Sequence, residues 1–153
     1  MGRTVELRAI GSVSSPVGDR TDSGWGDVVA RITLEPEYAG ALTGLDSFSH
    51  ALVLTYLHQA RFDPAKHLRR RPQGREDMPE VGILSQRAKN RPNPIGVTAV
   101  EIVGVGEDFL DVKGLDAIDG TPVLDVKPYF PQYDRVPSPS VPAWVDELMK
   151  DYF

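Results

Sequence analysis

A chain of 153 residues has the length of about one domain and can bury roughly two-thirds of its unfolded surface without a covalent staple. It contains no cysteine, which excludes disulfides, thiolate zinc sites and thiol nucleophiles. A net charge of −5 argues against a general nucleic-acid coat.

The charge is unevenly spread. Lys66, Arg69, Arg70, Arg71 and Arg75 fall close together with His67 among them, while Asp108, Asp111, Asp116, Asp119 and Asp125 populate the C-terminal half. A basic segment on an acidic chain is either a local phosphate contact or a solvated loop. The start, MGRTVELRAIG, is charged throughout and lacks a signal-type apolar core. The longest apolar stretch, Ala51 to Leu57, is too short to span a bilayer. The expected location is therefore the cytoplasm, with no membrane partner.

Fourteen glycines and thirteen prolines separate short apolar runs, a pattern of short strands with tight connections. TVELRAIGSV alternates and predicts a first strand; SSPVGDRTDSGWG is a loop by composition. DVVARITLEP predicts a second strand, and EYAGALTGL one helical turn before Gly44. SHALVLTYLHQA reads as a buried strand, Arg61 to Pro79 as a basic excursion loop, and VGILSQRA as a short strand. VTAVEIVGVGEDFLDVKGLD predicts a hairpin turning near Gly104–Asp108, and TPVLDVKPYF a further strand. In the tail, Trp144, Val145, Leu148, Met149 and Tyr152 recur at helical spacing, predicting a helix over about 142–152 that packs its Trp face on the body or on a second subunit. About seven short strands and a few short helices give a mainly β chain, and a small β-barrel removes the sheet edges. One domain over 1–153 is expected, with its core in about 5–133.

The run Arg91-Pro92-Asn93-Pro94-Ile95-Gly96 is the most informative local feature. Its prolines fix two φ angles and remove two donors; Arg91 and Asn93, each before a proline, are pushed extended. A stiff loop carrying a guanidinium and a carboxamide thus feeds a core strand. Standard sites are missing. No dinucleotide-binding fingerprint, P-loop or HExxH occurs, and no nucleophile elbow. His50 and His58 would sit about 26 Å apart on one continuous strand, so no metal site is expected. The remaining polar groups lie at strand ends: DSFSH, SQRAKNRPNPIG and GLDAIDGTPVLDVKPY.

Together, IGSVSSP, DSFSH, SQRAKNRPNPIGVTAVEI and LDAIDGTPVLDVKPY resemble the TsaA/TrmO-like family. These are S-adenosylmethionine-dependent, non-Rossmann tRNA methyltransferases that act on N6 of threonylcarbamoyladenosine beside the anticodon. The resemblance covers roughly residues 5–133. It implies a barrel-centred fold, bound S-adenosylmethionine, a tRNA substrate and a homodimer. The chain departs from the family where Leu84 to Lys89 replaces an FATR-SP-type sequence, and bacterial members carry a further C-terminal domain. Two alternatives stand beside this function: a non-catalytic S-adenosylmethionine- or RNA-binding barrel, and a small-molecule methyltransferase of the same fold.

Methyl transfer from a sulfonium requires mainly positioning and oriented dipoles. His50, Tyr129 and Asp116 are candidate proton acceptors or hydrogen-bond partners, unranked by sequence. Arg87 and Arg91 are candidate carboxylate or phosphate partners; Asn93 suits an adenine edge or ribose hydroxyl. Asp116 or Asp119 would accept from ribose hydroxyls. Backbone at Asp119, Gly120, Thr121 and Pro122 would approach the adenine. Lys66, Arg69, Arg70 and Arg71 are candidate tRNA phosphate contacts. Lys127 would contact phosphate or pair with Asp125 or Asp116.

Overall fold

The computed structural model describes residues 2–19 and 21–153. Met1 of the N-terminal stretch and Arg20 of the first loop lie outside the described residues. Strands β1 (Gly11–Ser14), β2 (Val29–Leu34), β3 (His50–Tyr56), β6 (Ile95–Val105), β7 (Phe109–Lys113) and β8 (Pro122–Pro128) close into an antiparallel barrel in the order β1-β2-β7-β6-β3-β8. Two short strands, β4 (Arg69–Arg70) and β5 (Val81–Gly82), pair with each other outside it. The helices are α1 (Pro64–His67), α2 (Pro131–Asp134) and α3 (Ala143–Met149).

Alternation decides which side chains fill the barrel. Val13 of β1, Ala30, Ile32 and Leu34 of β2, Ala51 and Val53 of β3, Val100 of β6, Leu110 and Val112 of β7 and Val123 of β8 form one core cluster. The fit is close at Gly11, where a Cβ would stand 2.3 Å from the Thr33 carbonyl oxygen; only glycine lets β1 and β2 approach there. The β3–β8 register shifts between Leu54 and Thr55, and the β6–β7 register between Ile102 and Gly104. Such bulges bend strands and help close a small barrel.

Three expectations need correcting. The predicted first strand shrinks to Gly11–Ser14. Val5 and Leu7 are 72% and 65% exposed, because β1 already has β2 and β8 as neighbours and the closed barrel offers no free edge. VGILSQRA contributes only Val81–Gly82, outside the barrel, and then a 3₁₀ turn at Ile83–Ser85. There the Gln86 carboxamide donates to the Arg70 and Val81 carbonyls, tying the segment to the excursion instead of the sheet. The C-terminal helix stops at Met149, so Tyr152 does not belong to its apolar face.

Every barrel ladder is antiparallel, so the strand direction alternates around the barrel. The loops after β1, β3 and β7 consequently open at one mouth. The connections after β2, β6 and β8 open at the other.

Candidate functional site

The first mouth gathers the two segments that stand out in sequence. The loop after β3 ends in Arg91–Pro94, and the loop after β7 carries Asp116 and the Asp119–Thr121 turn. The proline-bearing loop is pinned from both sides. Leu57 N–H donates to the Pro94 carbonyl and Ile95 N–H to the Asn93 carbonyl. Arg91 Nη1 donates to the carbonyls of Gln86 (2.8 Å) and Ala88 (3.2 Å), so part of its guanidinium braces its own loop. Arg87 Nη2 donates to the Val97 carbonyl at 2.6 Å, which fixes the fork at the start of β6. Asn93 is exposed.

The second loop is equally fixed. Gly120 has φ +84°, a left-handed position that favours glycine, and its N–H donates to the Val13 carbonyl. The Asp119 carboxylate accepts from Ser15 N–H at 2.9 Å, capping the β1 end of the mouth. Thr121 is buried, with its hydroxyl on the Ile118 carbonyl at 2.7 Å. Asp119 and Thr121 thus spend these side-chain contacts on the turn. Pro122 opens β8 opposite Ser12.

Asp116 is the best-defined charged group at this mouth. It lies between buried Leu115 and Ala117. Thr98 Oγ1 donates to its Oδ1, and Tyr152 Oη donates to its Oδ2. Burial first, then the Asp116 charge and the hydrogen bond to it, push the Tyr152 phenol well above its ordinary pKa, against a smaller opposing effect of Arg87. The phenol therefore stays a donor at any working pH. Sequence reasoning missed Thr98 and Tyr152. Thr98 carried a signal, as a hydroxyl in register with inward-facing Val100. Tyr152 carried a misleading one, its helical spacing from Leu148.

The other two candidate catalytic groups sit elsewhere. His50 begins β3 and Tyr129 follows β8, both at the opposite mouth. Tyr129 N–H donates to the His50 carbonyl, and their rings meet edge-on at 6.4 Å. Ser49 Oγ lies 2.7 Å from His50 Nδ1, and Phe48 stacks on Phe130 at 5.8 Å. Within one chain, His50 and Tyr129 form a pair and Asp116 is not part of it.

The basic cluster is largely engaged. Lys66 pairs with Asp63 (3.9 Å), Arg69 with Glu80 (3.6 Å), and Arg75 with Asp77 (2.6 Å) and Glu147 (3.9 Å). Arg71 donates to the Met78 carbonyl, and the Arg70 carbonyl receives Gln86. Lys127 pairs with Asp125 at 2.8 Å, a hydrogen bond that holds its ammonium above the usual pKa.

Open grooves of about 390 Å³, beside Asp22, Arg75, Glu147 and Asp151, and about 280 Å³, over Leu42, Phe48 and Val126, mark the surface. Neither includes Arg87, Arg91, Asn93 or Asp116. Polar convergence, not cavity depth, makes the first mouth the candidate site. A guanidinium fork, a carboxamide and a braced carboxylate at one mouth offer both hydrogen-bond donors and acceptors to a polar ligand.

The fold is a small closed antiparallel barrel with one group of polar side chains on the loops of its first mouth. The chain belongs to the tRNA-methyltransferase O N-terminal domain family, which it matches over residues 20–135. It is 40% identical over 136 residues to a probable S-adenosyl-L-methionine-binding protein of Methanothermobacter thermautotrophicus, covering 86% of this chain and 95% of the relative. It is 38% identical over 104 residues to the human tRNA (adenine(37)-N6)-methyltransferase, covering 68% of this chain and 24% of that protein. The crystal structure of TrmO from P. aeruginosa superposes with a TM-score of 0.76 at 28% identity, over 94% of this chain and 63% of that one. The chain thus spans less than two-thirds of the solved relative.

Proposed function

We propose that this chain is an S-adenosylmethionine-dependent methyltransferase that methylates N6 of adenine beside the tRNA anticodon, with threonylcarbamoyladenosine as the acceptor. The observation that carries this reading is the convergence of the Arg91–Gly96 loop and the Asp116–Pro122 turn at one mouth, in a chain of this family. The human relative's name gives the position and atom modified; the archaeal relative's name gives the nucleoside bound.

S-adenosylmethionine supplies an electrophilic methyl on a sulfonium. The chain's own residues hold and orient. Arg87, fixed on the Val97 carbonyl, presents its remaining N–H groups to a carboxylate. Asn93 offers both a donor and an acceptor to an adenine edge or a ribose hydroxyl. Asp116 keeps unused lone pairs beyond its two hydroxyl donors and accepts from a ribose hydroxyl. Backbone at Asp119–Pro122 lines the adenine side. Holding an acceptor nitrogen in line with the methyl accounts for much of such a barrier.

The excursion carrying Lys66, Arg69, Arg70 and Arg71 is the proposed tRNA phosphate contact. Lys127 is a weaker candidate, given its pairing with Asp125. A homodimer is proposed as well. It is supported by an apolar outer stripe where Tyr56 faces Ile95 and Leu54 faces Val97 across β3 and β6, with Tyr56, Ile95 and Val97 exposed.

The test is incubation with methyl-labelled S-adenosylmethionine and bulk tRNA, with and without threonylcarbamoyl modification. Labelled nucleoside and S-adenosylhomocysteine are expected only with modified tRNA. Label in both tRNAs would remove the threonylcarbamoyl requirement. A second reading, a binding barrel without turnover, is favoured by archaeal relatives of nearly the same length that are named for binding alone. Tight binding with no label transferred to any acceptor would establish it.

A further inference from the structure

The family match ends at residue 135, yet the chain's last residues return to the first mouth. Gly24 N–H donates to the Asp151 carbonyl at 3.0 Å and Trp25 N–H to the Tyr152 carbonyl at 2.8 Å. Phe153 lies over Gly26, where a Cβ would stand 2.6 Å from the Phe153 carbonyl carbon. The Tyr152 and Phe153 rings meet edge-on at 4.8 Å. This short strap delivers one polar atom, Tyr152 Oη, to Asp116 Oδ2.

A carboxylate with one anchored oxygen can still rotate about its Cβ–Cγ bond. Asp116 is anchored at both, by Thr98 from the barrel wall and by Tyr152 from the strap. Each oxygen keeps a free lone pair in a fixed direction. Groups that lock a ligand-contacting side chain in this way preorganise a site.

We infer that Tyr152 is a positioning residue of the nucleoside site, holding the Asp116 carboxylate in the orientation that receives a ligand hydroxyl. The inference rests on the proposed placement of S-adenosylmethionine at this mouth. It assigns a role to a segment beyond the part of the chain that the family match covers.

The experiment is calorimetric titration of the full chain with S-adenosylmethionine, alongside the KM and kcat of methyl transfer. Tyr152→Phe keeps the ring and removes the donor. Its Kd and KM should rise about three- to tenfold, less than the full loss of a hydrogen bond to a charged group because Thr98 still holds the other Asp116 oxygen, with kcat nearly unchanged and the melting temperature held. In an Asp116→Ala background the same substitution should have no further effect on Kd, because Tyr152 acts only through that carboxylate. A chain ending at Lys150 should match Tyr152→Phe, and it serves as the second variant should Tyr152→Phe fold poorly. An unchanged or tighter Kd for Tyr152→Phe, with the wild type binding normally, overturns this inference and leaves the cofactor reading intact. Additive losses in the double variant overturn it too. No heat with the wild type overturns both.

Discussion

Gly26→Ala tests whether the strap is docked as a unit separate from the barrel. The new Cβ would meet the Phe153 carbonyl carbon at 2.6 Å and its Cα at 3.3 Å, and backbone atoms cannot step aside as a side-chain tip can. The strap must lift. Lifting breaks the two backbone hydrogen bonds from Gly24 and Trp25 and the phenol–carboxylate bond. At about 0.5–1.5 kcal/mol for each neutral bond and about 1.5–3 for the charged one, the loss is about 2.5–6 kcal/mol. Freeing three residues returns about 1–2 kcal/mol each in backbone entropy. Partial burial of the Tyr152 ring keeps the wild-type strap docked against this entropy, and a backbone clash of this size should detach it while the barrel keeps its stability. Amide hydrogen exchange reads this directly: the Gly24 and Trp25 amides should lose protection in the variant, whereas Val53 and Leu110, in the barrel core, should not. Equal protection at Trp25 in both proteins would refute the reasoning. A parallel loss across the barrel strands would refute it as well, since it would make the strap part of the core.

Gly96→Ala places a Cβ 2.6 Å from Thr55 Oγ1, opposite Gly96 in the β3–β6 ladder; overpacking of about 1–3 kcal/mol should appear as a lower melting temperature. Leu110→Ala, at a fully buried position, should cost about 2–5 kcal/mol, read as a lower urea midpoint with an unchanged slope. The Arg31 guanidinium, hydrogen-bonded to Asp111, holds the Asp111 carboxyl below the usual range. The folded value is depressed, so this contribution is fully present above the unfolded aspartate pKa of about 3.9 and disappears as pH falls through the lower folded value. The stability gap between wild type and Asp111→Asn should therefore be flat from pH 5 to 7, on the order of the unfolded pKa and above, and should close in acid. A gap that persists in acid would assign Asp111 a role independent of its charge.

Local pattern carried much of this protein. Short apolar runs between turn residues placed β2, β3, β8 and the β6–β7 hairpin, and burial then alternates along Ala30-Ile32-Leu34 and Ala51-Val53. The Arg91–Gly96 loop and the Asp119–Thr121 turn were legible because proline and glycine act on the backbone of their own residues. Alternation in Thr4–Ile10 was read as a strand and is not one, since pairing depends on a free neighbouring edge and barrel closure removes it. Tyr152 was read as part of a helix face and instead reaches Asp116, a contact between residues 36 apart. The division of His50 and Tyr129 from Asp116 also lay beyond the sequence, because only the alternating direction of the strands says which loops share a mouth.

The residues alone therefore settled where the chain must bend, stiffen and bury, since those preferences act within a few bonds. Which polar groups face one another was settled only by closure of the sheet and the return of the tail. Both are long-range events, and their outcome depends on every strand at once.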